Sequence, residues 1–126
     1  MIRILLMLGV LINTTFAADL VWKARAIFTI KENRVVDFKE AISSIIGPTL
    51  NEKGCISYKG FQVFDEEAKL TNKFEFNELW ISKDALMVDH MNSTHMKVFF
   101  ETIKMGKSDS WIEYAEFESY WVETLK

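Results

Sequence analysis

From Leu20 to Lys31 ("LVWKARAIFTIK") apolar and polar positions alternate. Trp22, Ala24, Ala26, Phe28 and Ile30 fall on one side, while Lys23, Arg25, Thr29 and Lys31 fall largely on the other. That period of two predicts a strand. After the polar "KENR", Val35, Phe38, Ile42, Ile45 and Thr49 recur at spacings of three and four. This predicts a helix with a core-facing stripe. Gly47-Pro48 is expected to stop or kink it, because proline lacks an N–H and crowds the preceding turn. "NEKG" predicts a turn in which Gly54 suits a positive φ. A second strand follows from Cys55 to Phe64, with Tyr58, Gly60 and Gln62 on one face. The charged "DEEAKLTN" separates it from a third strand, Lys73 to Ile81, and a polar link of this kind predicts antiparallel neighbours.

Ser82 is placed to cap a helix, and Asp84 suits the positive end of its dipole. Leu86, Met87, His90 and Met91 then share one side. "NST" at 92–94 predicts a cap or kink before a second stripe, Met96, Phe99, Phe100 and Ile103, which ends at Gly106. The aromatic-rich "WIEYAEFESYWVETLK" reads as a final strand with an extension. The order β-α-β-β-α-β predicts an α+β, ferredoxin-like domain: an antiparallel sheet with helices on one face. Its other face, expected to carry Trp and Phe, needs a cover. A homodimer packing two sheets together would supply one; a tail formed by Tyr120 to Lys126 is the competitor.

The first residues change the picture. Met1-Ile2-Arg3 gives a short cationic start, Ile4 to Ile12 is apolar apart from Gly9, and small residues stand at Thr15 and Ala17. This predicts a cleavable signal over 1–17, a secreted or periplasmic location, and a single domain over 18–126 with its core at about 20–120. An uncleaved anchor or a leading strand is the alternative. The apolar run falls well short of the roughly 20 residues of a membrane-spanning helix, so no stable span is expected in the mature chain. Losing the leader removes one cation, Arg3, and no acid, moving the formal charge from −3 to −4. Charges of both signs are interspersed without a basic stripe, which argues against nucleic acid as a partner. With Cys55 alone, no internal disulfide and no cysteine-based metal cluster can form.

Both histidines, His90 and His95, fall in the stretch that follows Trp80. Helical metal sites usually space their histidines four apart and add a third ligand. Here the spacing is five, across a predicted break, and the sequence offers no third histidine; no metal site is expected. Cys55 has no histidine nearby in sequence and reads as a buried, unreactive thiol.

The run "NEKGCISYKGFQ" followed by "FEFNELWISKDALMVDHMNSTHMKVFFE" resembles the antibiotic-biosynthesis monooxygenase domain family. The likeness runs through Gly54, Cys55, Tyr58, Phe74, Glu78, Trp80, His90 and His95 and spans about Trp22 to Lys104. It implies a dimeric α/β barrel that oxygenates quinols or other electron-rich phenols with molecular oxygen and without metal, flavin or haem. Members of the wider superfamily bind or degrade haem instead. Two positions depart: Phe76 stands where some phenol-oxidising relatives have Asn, and Arg25 stands near the place of a first-strand Asn in haem-degrading ones.

Such chemistry makes a physical demand. A phenol of pKa about 10 must lose its proton, and an imidazole titrating near 6.5 is suited to take it. The resemblance therefore assigns His90 as base or hydrogen-bond partner and Trp80 as the flat wall for an aromatic substrate. Tyr58, Phe76, Glu78, Arg25 and His95 complete the expected substrate contacts, with Glu78 fixing a histidine tautomer. A blander reading stands beside this one. His90 would be a satisfied polar residue at a helix end, Trp80 with Phe74 and Phe76 ordinary core, and Glu78 a structural ion pair with Arg25 or Lys23. For His95 the cap-and-core reading leads. The functional alternatives are a non-catalytic dimer holding a quinone or haem, and a haem-degrading relative.

Overall fold

The structure, a computed structural model, describes residues 20–126; the expected leader lies outside the described residues. Strand β1 (Leu20–Ile30) leads through a short 3-10 turn into helix α1 (Val35–Leu50). Strands β2 (Cys55–Phe64) and β3 (Leu70–Trp80) form a hairpin. A π-helical turn (Ala85–His90) and helix α2 (Thr94–Thr102) then lead to β4 (Ile112–Glu123). The sheet order is β2-β3-β1-β4, antiparallel throughout, with the helices on one face. This is the ferredoxin-like arrangement that the element order predicts. Among the described residues no helix is long and apolar enough to cross a membrane.

The register of β1 and β3 sets which residues look inward. Trp22 pairs with Trp80, Ala24 with Glu78, Ala26 with Phe76 and Phe28 with Phe74, so all eight face the helices. The intervening positions, Lys23, Arg25, Glu75 and Asn77, face the opposite side. From α1, Phe38, Ile42, Ile45 and Thr49 are buried against the sheet. The Phe38 ring lies 4.9 Å from Phe74 and 5.9 Å from Phe99, tying sheet, α1 and α2 together. Burying an aromatic side chain of this kind contributes roughly 1.5–3 kcal/mol.

Four expectations need correcting. The aromatic residues of β1 and β3 do not load the open face; they point at the helices, and the open face carries an ion pair between Arg25 and Glu75 among scattered apolar side chains. Helix α1 continues through Gly47-Pro48 to Leu50. Proline in the last turn forfeits a single hydrogen bond, and the Asn51 N–H still reaches the Gly47 carbonyl at 3.2 Å. β3 begins at Leu70 instead of Lys73. There the Thr71 hydroxyl donates to the Val63 carbonyl, Gln62 Nε2 donates to the Thr71 carbonyl at 2.9 Å, and Asp65 closes the turn by accepting from the N–H groups of Glu67 and Lys69. Gly54 does not adopt a positive φ. Its lack of a side chain serves close approach, since an added Cβ would lie 2.5 Å from that of Ala85.

The predicted break between the two helical stripes is present. Met91 N–H reaches back five residues to the Leu86 carbonyl at 3.2 Å, closing the π turn. Ser93 then caps α2, accepting from the Met96 N–H and donating to the His90 carbonyl at 2.7 Å.

Candidate active site

Between the sheet and the helices lies a hollow of about 250 Å³. Ala26 and Phe28 of β1, Phe76 of β3, Met96 and Phe99 of α2, and Phe117 of β4 supply apolar wall. The short Ala26 side chain opposite Phe76 leaves part of the room. Three inward polar side chains break the apolar lining: Tyr58, Glu78 and His90. A mostly apolar cavity with a few convergent polar groups is the usual form of a small-molecule site.

His90 is the last residue of the π turn and is 2% exposed. Such turns insert an extra residue into a helix and are frequent at functional sites. Its Nδ1 lies 2.5 Å from Glu52 Oε2, and His95 Nε2 lies 3.0 Å from the same oxygen. A carboxylate oxygen has room for two donors and can only accept, so each histidine presents an N–H to it. The second ring nitrogen of His90, Nε2, has no hydrogen-bond partner among the described residues. Glu52 comes from the turn after α1, and the close contact of Gly54 with Ala85 presses that turn against the π helix. The Ile81 N–H, bonded to the Gly54 carbonyl at 2.9 Å, fixes it from the other side.

Burial depresses the His90 pKa, opposed by the hydrogen bond and charge of Glu52. Burial pushes Glu78 up to about 7, opposed by the Trp80 N–H, which donates to its Oε1 at 3.1 Å. The Tyr58 hydroxyl is pushed up by burial and by the nearby Glu78, so it stays protonated. Burial, with Glu52 and Glu78 adding charge, raises the Cys55 thiol to about 11. A thiol so protonated is a poor nucleophile, although Cys55 is half-buried instead of buried as the sequence reading expects.

A match to the family model described as antibiotic biosynthesis monooxygenase covers residues 23–102, well over half the chain. The chain belongs to the antibiotic biosynthesis monooxygenase family. Solved structures of the same fold include a conserved protein from Methanosarcina mazei Go1, 25% identical with a TM-score of 0.67, covering 84% of this chain and 96% of that one. A candidate antibiotic biosynthesis monooxygenase from Nitrosomonas europaea is 15% identical with a TM-score of 0.65, covering 83% and 99%. Another from Deinococcus radiodurans is 12% identical with a TM-score of 0.69, covering 83% and 95%. The comparison with curated proteins gives no match.

In this family member the expected site residues separate into three groups. Tyr58, Phe76, Glu78 and His90 line the hollow together. Trp80 and His95 stand behind it. Trp80 is fully buried with its ring 4.7 Å from that of His90, so it backs the imidazole and holds Glu78 but offers no surface for a substrate to stack on. Arg25 is on the wrong face altogether, bound to Glu75, because odd-numbered positions of β1 point away from the helices. Glu78 accepts from Trp80, and among the described residues no hydrogen bond joins it to either histidine; the tautomer-fixing carboxylate is Glu52. Sequence reasoning missed Glu52 because 38 residues separate it from His90. Its position two residues before Gly54, in a turn forced close to the next helix, is the one available signal. Glu52 also overturns the ligand count: its carboxylate and the two imidazoles place ligand atoms within 4.8 Å of one another.

Proposed function

We propose that this chain is a monooxygenase of quinols or other electron-rich phenols, with His90 as the base. The observation that carries the proposal is an imidazole lining an apolar hollow, its Nδ1 held by Glu52 and its Nε2 unpartnered. With Nδ1–H donated to the carboxylate, the lone pair remains on Nε2, the nitrogen able to accept a phenolic proton. A depressed pKa keeps the ring neutral near pH 7, and Glu52 steadies the imidazolium once it forms. Tyr58, protonated throughout, is suited to donate a hydrogen bond to a second substrate oxygen.

The phenolate then supplies the electrons that oxygen needs. For a quinol, one oxygen atom enters the ring and the other leaves as water, giving a hydroxyquinone; the balance closes without an external reductant. A hollow of about 250 Å³ suits one or two fused rings, given that a cavity of about 150 Å³ holds benzene.

Two further parts of the reading concern setting. The leader-like residues 1–17 support export to the periplasm or beyond. The helix-side surface of β4, which carries Phe117 and Trp121 at 53% and 50% exposure, supports a homodimer in which a second copy covers it. An oxygen-electrode screen of quinols tests the activity: substrate-dependent uptake that is lost in His90→Gln supports it. Tight ligand binding with no uptake would instead mark a non-catalytic binding module. Light scattering of the mature chain tests the dimer.

A further inference from the structure

We propose that Glu52, His90 and His95 form a site for a divalent transition-metal ion of the zinc class, and that occupying it silences His90 as a base. The first half stands on the cluster itself; the second rests on the function proposed above.

Two imidazole nitrogens and one carboxylate oxygen are the donor set such ions prefer, and three protein ligands leave a coordination position open. The atoms that converge are His90 Nδ1, His95 Nε2 and Glu52 Oε2, at 2.5 and 3.0 Å from the shared oxygen and all within 4.8 Å. An ion bound at about 2.0–2.1 Å in tetrahedral geometry needs its ligands roughly 3.3 Å apart. The carboxylate must therefore back away by less than about 1 Å, and the two nitrogens, at most 4.8 Å apart, must close by about 1.5 Å, shifts that side-chain torsions of Glu52 and the partly exposed His95 can supply. A spacing of five would separate two histidines on a regular helix. Here the π turn and the Ser93 cap interrupt the helix between them, and the rings come within 5.9 Å. His95 and Glu52 keep 19% and 14% of their side chains exposed, which gives an ion a way in that does not cross the hollow.

Switching follows from the chemistry of a neutral imidazole, which has one bare nitrogen. In the metal-free cluster Nδ1 carries the proton and Nε2 is bare. When Nδ1 binds an ion, the proton moves to Nε2, the atom assigned to receive the substrate's proton. The same ring cannot be ligand at Nδ1 and base at Nε2.

The test uses mature protein stripped of metal. Calorimetric titration with Zn²⁺ is expected to give one ion per chain with Kd of about 1 μM or tighter. Co²⁺ is expected to develop visible ligand-field bands. Glu52→Gln and His95→Gln, each checked for folding by circular dichroism without metal, are expected to weaken Zn²⁺ about tenfold or more. Quinol-dependent oxygen uptake should fall with the same Zn²⁺ midpoint and return on chelation. No stoichiometric binding to the wild type, or equal binding by both variants, overturns the site. Uptake that persists with the ion bound overturns the switch. Zn²⁺ binding without uptake under any condition leaves the site standing and defeats the oxygenase reading instead.

Discussion

Glu75 and Glu78 stand three residues apart on β3 and look out of opposite sides of the sheet. On the open side, the Arg25 guanidinium, 2.5 Å from Glu75, holds its carboxyl below the ordinary carboxylate range, with Asn77 assisting. On the helix side, burial raises Glu78 to about 7, and the Trp80 N–H only partly offsets this. The same side chain is thus a solvated ion on one face and a group poised near neutrality on the other. Strand parity decides, through burial, which residues acquire chemistry.

Removing volume should separate the two faces most sharply. Phe76→Ala opens the wall of the hollow and is expected to cost about 3–5 kcal/mol in urea unfolding. Phe61→Ala on the far face of β2, half exposed, should cost less than about 1 kcal/mol. Similar losses for both would erase the distinction between the faces.

Charge removal inside the hollow comes next. A carboxyl whose folded pKa is raised stabilises the fold fully below its unfolded value, near 4.5, and that contribution disappears as pH rises through about 7. Glu78→Gln keeps an acceptor for the Trp80 N–H and cannot ionise. It should therefore be more stable than wild type at pH 9, by on the order of 2–3 kcal/mol, with the two converging near pH 4. His90 has the opposite pH trend in both proteins, so the difference isolates Glu78. A gap that stays constant with pH would show that Glu78 is not held protonated.

Glu52→Gln should lower turnover of an active quinol about ten- to a hundredfold with little change in KM. Because Glu52 raises the His90 pKa against burial, its loss should also move the acidic limb of the pH–rate profile downward. An unmoved limb would argue that Glu52 is only structural. At the far end of the scale, Arg25→Ala should leave turnover at the wild-type value, since its side chain never reaches the hollow.

Much of this architecture is legible in the sequence, for a physical reason. The alternation of Trp22 to Ile30 and the stripe Phe38, Ile42 and Ile45 record burial directly, so strands, first helix and topology follow from pattern. Parity also groups Phe76, Glu78 and Trp80 on one face of β3, but the period does not encode which face meets the helices, and the sequence reading sets the aromatic load on the open one. Three things escape. Whether Trp80 forms a wall or stands behind one depends on packing depth, which period cannot encode. Arg25 joins the expected contacts only by resemblance to relatives, and its place on the face away from the hollow shows in the strand register and its ion pair with Glu75. Glu52 reaches His90 only through tertiary contact, made possible by Gly54 lying against Ala85.

The role of His90 as base is decided by oxygen consumption of metal-stripped mature protein, followed across a panel of one- and two-ring quinols in wild type and His90→Gln. One oxygen consumed per quinol oxidised is expected, with a loss of about 100-fold or more in the variant. No uptake with any quinol by a folded wild type, or equal uptake by the variant, would contradict it.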